Sequence, residues 1–124
     1  MDNEEIIKKA KELVNIKKLN GEAIFGEVGS VLITEKGNFY EGISLHASCG
    51  IGTCAEHSAI LKMLEKGETR IKKIVAVGAE GVYNPCGRCR ELMYQVDKNN
   101  SETDVMLSNG NIVKLKDLLP NYWQ

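Results

Sequence analysis

Neither sign of charge dominates this chain. Lysine and arginine together number 16 against 17 aspartates and glutamates, a formal net charge of −1, and no basic stripe gathers anywhere along it. A protein that follows a nucleic-acid backbone needs such a stripe, and a single-strand binder also needs stacking side chains. One tryptophan, four tyrosines and two phenylalanines are few for that purpose. No nucleic-acid polymer is expected as the main partner. Long apolar runs are missing too. None approaches the roughly 20 residues that span a bilayer, so no membrane association is expected. The opening stretch "MDNEEIIKKAKELVNIKKLN" is too charged for the apolar part of a secretory leader, which predicts a cytoplasmic location. Repeats, linkers and low-complexity segments are absent, and residues 1–124 suit one domain.

What the chain does have is four cysteines. In a reducing compartment they point to metal binding or catalysis rather than to disulfides. Two of them form Cys86-x-x-Cys89, in "NPCGRCRELM", where Pro85 suits the opening of a helix. Cys54, in "TCAEHSAI", opens another. Helix starts stabilise anionic sulfur through unpaired amides and the helix dipole. Three thiolates from two helix starts make a tetrahedral zinc site with one corner open. A redox role for the CxxC pair fits less well, because that motif belongs early in a βαβ unit and this one comes late. Were the fourth corner Cys49, the zinc would be structural; His46 and His57 are lesser candidates for that corner. Were it water, the zinc would be catalytic, and a base beside it would be needed.

Glu56 is the candidate base. It also stands three residues after Thr53, ahead of an apolar run, the pattern of a helix capping box. Cap and base therefore compete for one carboxylate.

The periodicity predicts a helix over 3–19, capped by Asp2 or Asn3, then a hairpin of 27–34 and 38–45. A helix follows over 53–66, a strand over 71–79, and the helix begun by Pro85. Two short strands around Asn109-Gly110 and a final turn before Pro120 complete an α-β-β-α-β-α-β-β order. Alternation of this kind predicts an α/β fold, a three-layer α/β/α sandwich around a single mixed five-stranded sheet.

"TCAEHSAILKMLEKG" followed by "NPCGRCRELM" resembles the cytidine deaminase family of zinc-dependent hydrolases. Its zinc motifs are Cys-Ala-Glu at one helix start and Pro-Cys-Gly-x-Cys-Arg at the next. "VGSVLITEKGNFYEGISL" is similar to the family's first hairpin and "LKDLLPNYW" to its carboxy-terminal segment. The resemblance implies one Zn²⁺ per chain on Cys54, Cys86 and Cys89, and a proton shuttle at Glu56, as in zinc deaminases generally. It also implies hydrolytic deamination of cytidine or deoxycytidine with release of ammonia, and a homotetramer. The Asn84 carbonyl would lie near the leaving amine, and Arg90 would offset the charge of three thiolates.

The family's Asn-x-Glu ribose pair is missing. Ser44 stands for the asparagine, no glutamate follows, and the loop is one residue shorter. The aromatic element before the first strand leaves only Phe25 to serve. His46 and Cys49 are expected near the pocket, with loop filling as the plain alternative, and His57 is expected to pack on its helix. Blasticidin-S deaminases are relatives that share "PCGRCR", so a modified aminopyrimidine nucleoside is the second substrate expectation. A non-catalytic four-cysteine zinc module is the alternative of another class.

Overall fold

The computed structural model describes residues 1–123. The chain opens with helix α1 (Asn3–Glu12), whose amino end is capped by Asp2 accepting from the Glu5 amide at 2.9 Å. A two-residue strand β1 (Lys17–Lys18) follows, then the long strand β2 (Ile24–Thr34) and β3 (Phe39–His46). Next come β4 (Gly52–Thr53), helix α2 (Ala55–Glu65), β5 (Ile71–Gly78) and β6 (Gly81–Tyr83). Helix α3 (Gly87–Val96), a 3₁₀ turn over Lys98–Glu102, β7 (Asp104–Met106), β8 (Ile112–Lys114) and α4 (Leu115–Leu118) complete it.

The sheet runs β4-β3-β2-β5-β7-β8, with β1 added to β2 and β6 to β5. The sheet has eight strands rather than the five expected: β1, β4 and β6, two or three residues long, join the five that the alternation pattern predicts, of which β7 and β8 are themselves only three residues long. Pairing is antiparallel except between β5 and β7, which are parallel and joined through α3. A mixed sheet results.

Strand alternation builds the layers. Val31, Ile33, Val75, Val77 and Met106 face α1 and bury its Ile6 and Ala10. The intervening Leu32, Ile74 and Val105 face the other way, onto Ala59, Ile60 and Met63 of α2 and Met93 of α3. Period-two strands with both faces apolar need a helical layer on each side, and the three-layer expectation is met.

The first helix is shorter than its periodicity predicts. It stops at Glu12 rather than 19 because the sheet edge competes for the chain. Leu13 and Val14 close tight turns onto Ala10 and Lys11, the Asn15 amide bonds to the Gly26 carbonyl at 3.0 Å, and Lys17–Lys18 pairs with β2. Leu13 still packs on the α1 core, but Ile16 and Leu19 are exposed. The second helix also starts later than expected, at Ala55, because Gly52–Thr53 is drawn into pairing with Leu45 and His46.

Candidate active site

The two short pairings just described set the site. Strand β4 returns the loop after β3 to the sheet and delivers Cys54 as the N-cap of α2. Strand β6 turns back on β5, and the chain then reaches Cys86, the N-cap of α3. Cys89 lies one turn into α3 and is fully buried. Their Sγ atoms lie within 4.8 Å of one another, with Cys54 and Cys86 3.6 Å apart. A tetrahedral zinc with Zn–S bonds of about 2.3 Å needs thiolates about 3.8 Å apart. The three cysteines fit that ion.

Their environment is arranged for anions at one end only. Burial disfavours the Cys86 thiolate, yet the Cys89 and Arg88 amides and the neighbouring thiols hold its pKa below the ordinary value. Burial, then Cys86, pushes Cys54 up. Burial and the Glu56 carboxylate push Cys89 up strongly. Three sulfurs so crowded become thiolates together only with a cation among them.

Cys49 does not join them. It sits exposed in the loop with φ of 62°, outside the three-cysteine cluster. The four-cysteine structural site is therefore not formed. Residues 47–51 close on themselves instead, with the Ala47 amide on the Ile51 carbonyl at 2.8 Å.

Glu56 is not a cap. With Cys54 as N-cap, the capping-box position falls on His57, and neither Thr53 nor Glu56 makes a capping bond. The Glu56 side chain is only 6% exposed and bonds to no other residue among those described. Burial pushes its pKa up, partly offset by its own amide. His57 packs half-buried on α2, with Nδ1 buried and unpartnered.

A cleft of about 590 Å³ opens over this point, lined by Cys54, Glu56 and Cys86. That volume suits a small organic ligand. Ser44, His46 and Asn84 line it as well. Ser44 Oγ accepts from the Val28 amide at 3.0 Å, and Asn84 Oδ1 from the Ser108 amide at 2.8 Å. Phe25 does not line the cleft; it pairs with Leu45 beyond an irregularity in the β2–β3 ladder. Arg90 does not line it either. Its Nε donates to the Pro85 carbonyl at 2.8 Å and its guanidinium reaches the Leu118 carbonyl at 3.3 Å. It thus ties the peptide before Cys86 to the carboxy-terminal segment.

The wall residues that were not anticipated include Glu27, Tyr83 and Arg88. Arg88 carried a signal, standing between two zinc cysteines. Glu27 carried none, since only the ladder irregularity brings it there.

Three cysteine sulfurs at zinc spacing, with a largely buried carboxylate beside them on the wall of a cleft, are the arrangement of a metal-dependent hydrolase. The family model described as "Cytidine and deoxycytidylate deaminase zinc-binding region" matches residues 1–101. A cytidine deaminase of Halalkalibacterium halodurans is 31% identical over 100 residues, 76% of this chain and 74% of that protein. One from Sporosarcina psychrophila is 32% identical over 84 residues; the match spans 66% of this chain but only 60% of that relative's length. The crystal structure of cytidine deaminase from Burkholderia pseudomallei superposes with a TM-score of 0.78 at 27% identity, covering 99% of this chain and all of that one. That from Mycobacterium leprae gives 0.80 at 24% identity, covering 98% and 99%. The chain belongs to the cytidine and deoxycytidylate deaminase family of zinc-dependent hydrolases. These relatives favour neither a blasticidin-type substrate nor a non-catalytic zinc module.

Proposed function

We propose that residues 1–124 form one deaminase domain that converts cytidine and deoxycytidine, with water, into uridine and deoxyuridine and ammonia. One observation carries the reading. Glu56 is only 6% exposed, lines the cleft beside Cys54 and Cys86, and has no other described residue bonding its carboxylate, which only its own amide reaches. An unpartnered buried carboxylate is costly, and a proton-shuttle role in the cleft accounts for it.

Zinc on Cys54, Cys86 and Cys89 supplies Lewis-acid activation of water when bound. The chain's residues do the rest. Glu56 accepts the proton that water loses and gives it to the ring nitrogen, as oxygen bonds to the carbon bearing the amine. It then passes the second proton to that amine, and the C–N bond breaks. Its raised pKa suits a group that must both take and return protons. Ser44, His46 and Asn84 contact the nucleoside, and Arg90 holds the Cys86 peptide in place.

Two further assignments belong to this reading. No helix among the described residues is long and apolar enough to cross a membrane, in keeping with a cytoplasmic enzyme. Exposed Ile51, Leu61 and Trp123 offer apolar surface for assembly, in keeping with a homotetramer.

The test is the loss of cytidine absorbance with zinc-loaded protein and its Glu56→Ala variant. Turnover is expected to fall by at least about 10²- to 10⁴-fold with zinc content unchanged. Equal turnover by both proteins would remove Glu56 from the reaction.

A further inference from the structure

The pairing of β2 with β3 breaks at the edge of the cleft. Phe25 pairs with Leu45 and Gly29 with Ile43, so Gly26, Glu27 and Val28 all stand opposite Ser44 alone. Such bulges recur beside active sites, where they re-aim a side chain. Two details hold this one in place. Gly26 has φ of +92°, and a Cβ there would run into the Asn15 carbonyl. The Val28 amide, deprived of a strand carbonyl, donates to Ser44 Oγ at 3.0 Å. That bond uses the Ser44 hydroxyl as an acceptor and leaves its proton free to donate.

Glu27 and Glu56 are the two carboxylates on the cleft wall. Glu27 is half-buried, and its side chain makes no hydrogen bond or ion pair to another described residue. The reacting ring must stand against Cys54, Glu56 and Cys86. The wall left for its substituent includes the β2–β3 bulge. A carboxylate beside a hydroxyl there matches a substituent that carries hydroxyl donors.

We propose that Glu27, re-aimed by the bulge, is the sugar-recognition residue of this enzyme: its carboxylate accepts hydrogen bonds from the sugar hydroxyls of the substrate, with Ser44 beside it. A strand-β2 glutamate would then do the work for which β3 offers no carboxylate on the cleft wall. The assignment rests on the deaminase reading above.

Cytidine, 2′-deoxycytidine and 2′,3′-dideoxycytidine form the test series, with kcat/KM measured for the zinc-loaded wild type, Glu27→Ala and Glu27→Gln. A charge-assisted bond to a hydroxyl predicts a wild-type preference for cytidine over the dideoxy analogue of about 10- to 100-fold. Glu27→Ala is expected to reduce that preference to within about threefold of unity by losing turnover of the hydroxylated substrate. Glu27→Gln, which keeps an acceptor oxygen without the charge, should fall between. The deoxy substrate shows which hydroxyl is read. Zinc content and near-UV circular dichroism establish that both variants fold. A preference that survives in Glu27→Ala, or equal losses on all three substrates, would overturn the assignment while leaving the deaminase intact. A wild type that deaminates the three nucleosides without preference would do the same. One that deaminates none would overturn the deaminase reading, and the role of Glu27 with it.

Discussion

Cys54 and Cys86 hold the same position on two different helices, the N-cap, where serine, threonine or aspartate would normally bind the free amides. Here sulfur takes the place of oxygen, and neither cysteine makes a side-chain cap bond. The positive ends of two helix dipoles converge instead on the cysteine cluster that would hold the metal. Glu56, one residue further along α2 than Ala55, is excluded from capping by this arrangement and lines the cleft. Glu68 behaves in the opposite way. Its carboxylate is buried, and Oε2 accepts from Tyr40 at 2.6 Å and Asn38 at 2.9 Å. Hydrogen bonds from Thr34 and Tyr40, opposed by burial, hold its pKa below the ordinary glutamate value. A depressed carboxylate pKa contributes stability that is present above the unfolded-state value, about 4.3, and lost as pH falls through the folded-state one. Glu68→Gln should therefore lower stability by on the order of 1 kcal/mol at neutral pH. The difference from wild type should vanish in acid below the lowered pKa, as read from urea unfolding at both pH values. A difference that persists in acid would mean packing, not charge, is lost.

At the scale of elements, the close approach of α2 to the sheet fixes where the metal ligands stand. Gly42 on β3 lies directly under the first turn of that helix; a Cβ there would run into the Ala55 carbonyl oxygen and the Ala59 amide. These are backbone atoms, which cannot turn aside. Gly42→Ala must lift the helix start that carries Cys54 and Glu56. It is expected to cost about 1–3 kcal/mol by overpacking and to weaken zinc retention against a chromogenic chelator. Loss of stability with full zinc affinity would show that the helix shifts without moving its amino end. The same scale explains the shortened first helix. Helical periodicity continues past Glu12, but a free edge of β2 offers Asn15, Lys17 and Lys18 backbone partners that an isolated helix end cannot match.

At the scale of the whole molecule, the cysteine cluster that would hold zinc brings together parts far apart in sequence. Cys54 ends the β3–β4 excursion, and Cys86 and Cys89 begin the crossover from β5 to β7. Arg90 extends that tie to Leu118, while Tyr122 stacks on Tyr94 with ring centres 4.1 Å apart. Zinc binds the folded site and not the unfolded chain, so linkage adds about 4 kcal/mol when free zinc exceeds its Kd a thousandfold. For a chain of this length that corresponds to about 10–20 °C in Tm. Stripping the metal with a chelator should lower Tm by about that amount, with restoration on zinc addition, in a calorimetric scan. Cys89→Ser should start low and respond little to either treatment. An unchanged Tm in wild type would mean the site contributes nothing to folding.

The metal centre was legible in the sequence because its parts are local. Each cysteine motif lies within one helical turn, and short-range spacing determines which side chains share a helix start. The layered fold followed from apolar periodicity, which is local as well. Glu56 was legible as a carboxylate with two possible uses; whether it caps α2 depended on where that helix begins, and pairing of β4 with β3 excluded the cap. Glu27 beside the cleft, Phe25 outside it, Cys49 apart from the zinc ligands and Arg90 on backbone carbonyls were all decided by tertiary structure. Each depends on a strand register, a bulge or a loop closure between segments distant in sequence. Such contacts are settled by competition among backbone partners, and residue types along the chain do not record the outcome.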